Sequence, residues 1–435
     1  MSAPTPPSSP AATDASSKWC AGAELGPSSD PRRELLLSLL QAALDCVDGR
    51  RCVREALASG GAGPAPGAEG PVWLAAVGKA APAMALGALD ALGERIARAL
   101  IITREGHTPP ELLRASGVEV VAGSHPVPDE RSLAAGERLL QWVEALPREA
   151  RPLFLVSGGA SSLVEVLKPP TTLADLESFT ARELAAGTAI GELNARRIAL
   201  SRIKGGRLTS RLAGRAARAL FVSDVPGDDP NVIGSGILGR ASEGEDRVER
   251  LVVASVERAV AGAATAARMR GLSVHAPLRR FDDDALRLAA RFAHELRLSP
   301  AQVCVWGGES TVQLPPNPGK GGRNQHLALA AARLIAGNAD LMLLAAGTDG
   351  TDGVTEDAGA LVDAESCGRV TLDGLDVDEC LARADSGAAL AASGDLVHLG
   401  PTGTNVGDLV IGLKLQPETA GGAPGPRGGP RARVL

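Results

Sequence analysis

The sequence predicts an α/β protein of two domains, in which helices cover both faces of a parallel β-sheet. The chain has 435 residues and 44% hydrophobic content, which is more than one small core requires. Near-continuous apolar runs alternate with segments of helical spacing, the pattern of a buried parallel sheet. Aromatic residues make up only 2% of the chain and Tyr is absent. The core is therefore expected to be aliphatic, and a nucleotide base is not expected to stack on aromatic rings.

The predicted elements follow this alternation along the chain. Strands of the first block are predicted at residues 73–77, 99–103, 118–122, 153–157 and 219–225. Helices of the same block are predicted at residues 33–58, 79–97 and 246–269. In the second block we expect a helix at 324–335 and strands at 302–306, 341–347 and 408–413.

Two folded domains are expected between two tails. Residues 31–285 are predicted to form the N-terminal domain and residues 286–416 the C-terminal domain. Pro and small residues dominate residues 1–30 and 417–435, which predicts that both tails are disordered.

Charge and composition exclude several classes of protein. The net charge of −6 does not support a basic surface for nucleic acid. The six Cys form no CxxC pair, so we expect reduced thiols in a cytoplasmic protein rather than disulfides or a zinc site. No apolar run is long enough to span a membrane, and no secretory signal is visible. The oligomeric state stays open, with a homodimer as one option.

Glycine-rich peptides follow several predicted strands. In an open parallel sheet, the loops after the carboxyl ends of the strands line one crevice, where ligands bind. VGKAA (77–81) places Lys79 at the start of a helix, where backbone N–H groups and the helix dipole favour an anion. SGGASS (157–162) can aim successive N–H groups at an oxyanion, although it is also typical of a tight strand-to-helix turn.

The strongest anion-site signal is GKGGRNQH (319–326), which opens a helix. Lys320 and Arg323 accompany the backbone donors of the first helical turn there. The loops GTDGTDG (347–353) and GPTGTNVGDL (400–409) offer further hydroxyl, amide and carboxylate groups. The cationic segment 193–208 ends in a Gly-Gly turn, and the helix dipole alone explains several of its cations.

Three carboxylates follow another predicted strand, in SDVPGDDP (223–230). Asp224, Asp228 and Asp229 repel one another unless a cation or a proton relieves them. Mg²⁺ is held in kinase-like sites by one or two carboxylates together with substrate phosphates. We therefore predict that these three residues bind the metal, with an Asp-rich turn as the alternative.

Missing motifs narrow the choice of enzyme class. The sequence contains neither GxxxxGK[ST] nor the HRD and DFG set, so a kinase of either common plan is excluded. GSGILG (234–239) matches GxGxxG in form but lacks the strand–turn–helix context of a dinucleotide site. No Gly-x-Ser-x-Gly elbow is present, which argues against a serine nucleophile.

As an ordered set, these peptides resemble the glycerate 2-kinases that carry a C-terminal MOFRL domain, some of which have been labelled hydroxypyruvate reductases. The resemblance runs from about residue 33 to about residue 415. It rests on VGKAA, HPVPDERS, SGGASS, ELNARRIALSRIKGGRL, SDVPGDDPNVIGSG, GGEST, GKGGRNQ, GTDGTDG and GPTGTNVGDL. Two positions depart from the usual pattern: His326 stands where Glu usually follows RNQ, and Ile237-Leu238 stand where Pro-Thr usually follows GSG.

The resemblance implies a large Rossmann-like three-layer N-terminal domain and a smaller α/β C-terminal domain, with the active site in the cleft between them. It implies ATP-dependent phosphorylation of D-glycerate at the 2-hydroxyl with Mg²⁺, and it implies Lys79 and Arg323 as the catalytic cations. The alternatives are an NAD(P)H-dependent hydroxypyruvate reductase and a non-catalytic protein that binds sugar acids or nucleotides.

On the kinase hypothesis, Lys79 and Arg323 flank the transferred phosphoryl group and the glycerate carboxylate. Asp349 or Asp352 accepts the hydroxyl proton. The residues predicted to hold nucleotide and substrate are Ser157, Gly158, Gly159, Ser161, Lys204, Gly319, Lys320, Gly322, Thr348, Asp349, Asp352, Thr402 and Asn405.

Overall fold

The structure is a computed structural model that describes residues 30–58, 70–185 and 190–415. Both predicted tails lie outside the described residues, apart from Asp30. Two β-sheets and the helices around them make up the described chain. No helix among these residues combines the length and the apolar character that a membrane crossing requires.

The first sheet is parallel throughout. Its strands are β1 Val72–Val77, β2 Ile96–Arg104, β3 Val118–Gly123, β4 Arg151–Ser157, β5 Ala217–Val222 and β6 Val248–Ala254. They lie in the order β3-β2-β1-β4-β5-β6, the order of a doubly wound nucleotide-binding fold. The strand order reverses between β1 and β4, so the loops after these two strands diverge and leave a crevice at the carboxyl edge.

The second sheet is mixed. Its strands are β7 Val274–His275, β8 Phe281–Asp284, β9 Val303–Thr311, β10 Leu341–Gly347, β11 Gly359–Asp363, β12 Leu396–Val397 and β13 Asp408–Lys414. The order is β12-β11-β10-β13-β9-β7, and β8 also pairs with β9. Strand β10 runs antiparallel to both β11 and β13, and β13 runs antiparallel to β9. As a result, the ends of β9 and β10 and the start of β13 meet at one edge.

The helices cover and separate the two sheets. They are α1 Pro31–Val47, α2 Gly49–Ala58, α3 Ala81–Leu92, α4 Pro110–Arg114, α5 Glu130–Glu144, α6 Ala160–Leu163, α7 Leu173–Ala185, α8 Ile190–Leu200, α9 Arg207–Arg211, α10 Val256–Met269, α11 Ala285–Leu298, α12 Arg323–Ile335, α13 Ser366–Leu372, α14 Val377–Ala382 and α15 Ser386–Ser393. Helices α5, α6 and α9 pack on the outer face of the first sheet, and α11 and α12 pack on the outer face of the second.

One aliphatic core joins the inner faces of both sheets. Helices α1, α2, α3 and α10 lie between the sheets, and Leu40, Leu74 and Ile411 belong to the same buried cluster. Strands β7 and β8, which the sequence assigns to the N-terminal domain, pair with β9 of the second sheet. The α/β class with a parallel sheet and a second sheet is confirmed, while the boundary at residue 285 stays a prediction.

Three predicted helices are each divided in the structure. Of the one predicted at 79–97, residues 81–92 form α3, and residues 96 and 97 already belong to β2. The helix predicted at 33–58 breaks at Asp48. The Asp48 carboxylate accepts a hydrogen bond from the Arg51 amide at 2.7 Å and so caps the start of a new helix. Gly49 approaches Gly403 so closely that a Cβ would lie 2.6 Å from its carbonyl oxygen. The segment 246–269 contains β6 before α10; in β6 the charged residues Glu249 and Arg250 precede an apolar run of only four residues, 251–254.

Candidate active site

The crevice lies between the loops of the two sheets. The Lys79 ammonium donates a hydrogen bond to Asp349 Oδ2 at 2.7 Å, and the two side chains are 20% and 11% exposed. Lys79 follows β1 of the first sheet, and Asp349 follows β10 of the second. This ion pair therefore joins the two sheets at the point where the strand order of the first sheet reverses.

The backbone around Lys79 is tied to the neighbouring strand β4. The Lys79 amide donates to the Gly158 carbonyl at 2.9 Å, and the Ala80 amide donates to Ser157 Oγ at 3.0 Å. Gly78 has a φ of +133°, and a Cβ at this position would lie 2.1 Å from Ser157 Oγ. Ser157 is fully buried and thus positions Lys79 rather than facing the crevice.

Gly158 brings the first sheet against Asp224 and Asn405. A Cβ on Gly158 would lie 2.0 Å from Asp224 Oδ2 and 2.1 Å from Asn405 Nδ2. The Asn405 amide donates to Asp224 Oδ2 at 3.4 Å. Only glycine allows these groups to come so close, so the turn gathers side chains from the loop after β5 and from the loop before β13.

The Asp224 carboxyl sits in an unusual electrostatic environment. Burial raises its pKa, while the charges of Lys79, Arg280 and Arg323 oppose that rise. The Arg280 guanidinium also donates to the Asp224 carbonyl at 3.1 Å and to the Val225 carbonyl at 2.7 Å. Three cations thus surround a carboxyl group that water reaches poorly.

His125 lies on the other side of the glycine turn. Gly159 has a φ of +84°, and a Cβ there would lie 3.0 Å from Lys79 Cγ and 3.2 Å from His125 Cδ2. Burial, together with the charges of Lys79 and Arg104, lowers the pKa of His125 to about 3. The imidazole beside Lys79 is therefore neutral at physiological pH.

Arg323 begins α12 and is fixed by two carboxylates. Its Nε and Nη2 donate to the two carboxylate oxygens of Asp408 at 2.8 and 3.0 Å, and its Nη1 lies 3.0 Å from Glu309 Oε1. Burial opposes the charged form, but Asp408 and Glu309 raise the pKa of Arg323 overall. Arg323 is 38% exposed, so this permanent cation still reaches the crevice.

Comparison with known proteins places this geometry in a family. One family model, described as Domain of unknown function (DUF4147), matches residues 35–266, and the MOFRL family matches residues 302–408. The D-glycerate 2-kinase of Thermotoga maritima is 35% identical over 381 residues; the match covers 79% of this chain and 90% of that protein. The chain belongs to the glycerate 2-kinase family.

Two further relatives bear the two names that the ordered motifs suggested. A protein of Agrobacterium vitis with the provisional name hydroxypyruvate reductase is 35% identical over 379 residues; the match covers 76% of this chain and 84% of that protein. The crystal structure of a glycerate kinase from Thermotoga maritima matches with a TM-score of 0.77 and 32% identity, and it covers 88% of this chain and 100% of that one. The resemblance drawn from the ordered motifs is confirmed.

In this family member, the structure brings together part of the predicted site. One crevice is lined or supported by Lys79, Gly158, Gly159, Asp224, Asp349, Asn405 and Arg323. Gly319 and Gly322 line a cavity next to Arg323. The Lys320 side chain is exposed, and its backbone amide donates to Asp385 Oδ1 at 2.9 Å.

Other predicted residues have structural partners instead. Both carboxylate oxygens of Asp352 accept amide protons from the first turn of α12, at Asn324 and Gln325. Burial raises the pKa of Asp352 to about 7, and these amides oppose the rise. Thr402 Oγ1 donates to the Thr348 carbonyl at 2.5 Å, so both threonines hold the two loops together.

Lys204 and Ser161 lie beneath the glycine turn. The Lys204 ammonium donates to Glu165 and to the Ser161 carbonyl, and both partners of the Lys204–Glu165 ion pair are buried. Ser161 Oγ lies 2.8 Å from Ser235 Oγ. The Lys204 ammonium therefore has no route to a phosphate in this arrangement.

The three predicted metal ligands do not form one cluster. The Asp229 carboxylate accepts from the backbone and side-chain amides of Asn231, while Asp228 lies 3.6 Å from Arg280. No group of three or more His, Cys, Asp or Glu side chains suited to a metal occurs in the described part of the chain. Repulsion among Asp side chains predicted a shared ion, but the turn at Asn231 satisfies Asp229, and the Arg280 cation faces Asp228.

Sequence reasoning missed Asp408, Glu309 and Arg280. Asp408 lies near the end of the GPTGTNVGDL peptide, and Glu309 lies in GGEST. Both motifs were interpreted from their other residues. Nothing in its neighbourhood along the chain marks Arg280, because its partners are the carbonyls of Asp224 and Val225, more than fifty positions away.

Proposed function

We propose that this chain transfers the γ-phosphoryl group of ATP to the 2-hydroxyl of D-glycerate and releases 2-phospho-D-glycerate. The observation that supports this activity is the pair of fixed cations in the crevice, one from each sheet. Lys79 and Arg323 both lower the pKa of the Asp349 carboxyl, although burial opposes them, so both act on the same small volume. The names of the D-glycerate 2-kinase relatives point to the same reaction.

Phosphoryl transfer needs positioning and charge stabilisation more than covalent chemistry by the protein. Among the described residues, Arg323 donates two of its five N–H groups to Asp408, and its Nη1 forms an ion pair with Glu309, so at least two N–H groups remain for phosphate or carboxylate oxygens. The Lys79 ammonium can exchange part of its bond with Asp349 for a bond to the transferred group. In this proposal the two cations stabilise the developing negative charge from opposite sides.

Asp349 is the residue proposed to receive the proton of the 2-hydroxyl. One carboxylate oxygen accepts from Lys79, and the other accepts from the Thr351 amide at 3.0 Å. The pKa of Asp349 is lowered by Lys79 despite burial, so the group is ionised before substrate binds. Such a carboxylate orients the hydroxyl first and takes its proton late, as the bond to phosphorus forms.

Mg²⁺ is proposed to enter with ATP. Mg²⁺ prefers carboxylate oxygens and keeps contacts to substrate phosphates. Asp224 fits this role as a single protein ligand. Burial raises the pKa of its carboxyl, and a bound cation would favour the ionised form. Its hydrogen bond from Asn405 is long, at 3.4 Å, so this oxygen is only weakly engaged. The bound ion would neutralise charge on the phosphate oxygens, whereas Asp228 and Asp229 are not proposed as ligands.

We also assign the reaction to the cytoplasm, with small molecules rather than nucleic acid as partners. Five cysteines among the described residues are free thiols, namely Cys46, Cys52, Cys304, Cys367 and Cys380. Free thiols are typical of a reducing compartment.

One assay separates the three functions that the sequence left open. We expect ADP release from ATP and D-glycerate in the presence of Mg²⁺, and a ³¹P spectrum that places the new phosphate on C2. In parallel, NADH and NADPH consumption with hydroxypyruvate is expected to stay at background. Reduction of hydroxypyruvate without ADP release would replace the kinase proposal by the reductase, and nucleotide binding without either turnover would favour the binding protein.

A further inference from the structure

A cavity of about 420 Å³ opens next to the crevice and shares two residues with it. Arg323 and Glu309 line both. The other walls are the chain that follows β9, the glycine loop before α12 and the turn after Asp352. The volume lies within the range of about 300–1,000 Å³ that small-molecule sites occupy.

The walls of this cavity are largely apolar. Val312, Leu314, Pro318, Val354 and Ala384 contribute to the lining. Leu314 is 68% exposed and Val354 is 84% exposed, so two sizeable aliphatic groups stand at a concave surface without cover. An apolar pocket with a few polar groups is typical of a site for a small organic ligand. D-Glycerate has three carbons and is polar throughout, so it does not suit this lining.

The glycine loop forms a wall of the cavity that is fixed in place. The Gly319 amide donates to the Arg383 carbonyl at 2.8 Å, and the Gly387 amide donates to the Lys320 carbonyl at 2.9 Å. A Cβ on Gly322 would lie 2.2 Å from Asp352 Cγ. The loop therefore lines the cavity with glycine backbone, and these contacts fix its position.

We propose that this cavity binds the nucleoside part of the phosphoryl donor and directs its phosphates towards Arg323. This inference rests on the proposed kinase function and adds the location of the donor. His326 lines the cavity, and its Nδ1 lies 2.9 Å from Ser386 Oγ. A neutral imidazole supplies a polar contact for a base edge. The aliphatic walls replace the aromatic stack that the composition of the chain does not provide.

The test is calorimetric binding of ADP with Mg²⁺ to the full-length protein. Leu314→Glu and Val354→Glu are each expected to weaken binding at least tenfold, because both place a charge on the apolar wall. Leu298→Glu and Met269→Glu are matched controls, since these side chains are also 68% and 84% exposed and lie outside the lining. Both controls are expected to bind within twofold of the wild type. Leu314→Gln separates polarity from charge and is expected to weaken binding at least threefold.

A steady-state measurement adds a second readout. The two cavity variants should raise KM for ATP about tenfold and change KM for D-glycerate less than twofold. Equal ADP affinity in the cavity variants and their controls would overturn this inference and leave the kinase proposal intact, and a wild-type protein that does not bind ADP would overturn both. If the cavity variants lose ADP binding while the wild type fails to phosphorylate D-glycerate, the cavity assignment stands and the substrate assignment fails.

Discussion

Two lysine–carboxylate pairs in this chain have the same chemistry and different surroundings. Lys79 and Asp349 meet across the two sheets at the crevice, where water reaches them. Lys204 and Glu165 are each 1% exposed, and burial lowers the pKa of Lys204 although Glu165 opposes this. Both lysines are predicted from glycine-rich motifs to contact phosphate. The comparison teaches that exposure, which the motif does not encode, separates a cation that can act on a ligand from one that stabilises the fold.

The largest expected effect belongs to the pair at the crevice. Lys79→Met removes the cation that faces the transferred phosphoryl group, and we expect kcat to fall about 10⁴-fold, or about 5.4 kcal/mol of transition-state stabilisation. The melting temperature should fall less than in a variant of the fully buried Lys204, because Asp349 is partly exposed and keeps the Thr351 amide and the charge of Arg323. ADP release and thermal unfolding measure the two quantities. Lys168→Met, outside the crevice, is the control, and near-normal turnover of the Lys79 variant would remove Lys79 from the mechanism.

The buried pair should respond in the opposite way. Lys204→Met leaves the Glu165 carboxylate unpaired in the core, which costs about 3–5 kcal/mol of unfolding free energy. The double variant Lys204→Met/Glu165→Leu removes both charges and should recover most of that loss. Urea unfolding of the three proteins checks this expectation. A double variant as unstable as the single one would mean that the Ser161 contact, rather than the ion pair, stabilises this region.

The first sheet could be predicted from sequence much better than the second. Strands β1 to β5 each contain an apolar run, and the strand order places their loops at one edge. Strands β7, β8, β11 and β12 have two to five residues each, too few for a periodic pattern to stand out. The pairing that makes the second sheet mixed depends on contacts between distant segments, which local patterns do not contain.

The site divides along a similar line. Lys79 and Arg323 could be found because each begins or precedes a helix after a glycine, a local feature. Asp408 could not be assigned, because its role comes from Arg323, 85 positions earlier in the chain. Asp352 looked like a catalytic carboxylate, but it caps α12 from a separate loop. Ile237 and Leu238, where the family usually has Pro-Thr, are buried in the core of the first sheet.

A smaller effect is expected at the turn that joins Lys79 to Asp224. Gly158→Ala puts a methyl group at the position that lies 2.0 Å from Asp224 Oδ2, so the carboxylate and Asn405 must move. Displacement of about 1 Å at an active site costs up to about 10²-fold in rate, or about 2.7 kcal/mol. Turnover at saturating substrates is the measurement. Gly368→Ala is the control, because a Cβ there meets nothing within 4 Å and the φ of Gly368 lies outside the left-handed region, and equal kcat in the two variants would contradict the packing argument.

The smallest expected effect is a pH dependence that Lys79 imposes on its neighbour. Burial and the Lys79 charge lower the pKa of His125 from about 6.5 to about 3. Between these values the unfolded chain binds a proton that the folded chain does not, so stability falls as the pH drops below about 6.5. His125→Gln removes this proton linkage. Between pH 7.5 and pH 5, the free energy of unfolding of the variant should therefore fall by about 1–2 kcal/mol less than that of the wild type. Urea midpoints at the two pH values test this, and parallel changes in both proteins would show that His125 titrates normally. In the Lys79→Met background, the stability difference caused by His125→Gln should shrink, because one of the two main causes of the lowered pKa is gone. In the Lys204→Met background, the same stability difference should be unchanged.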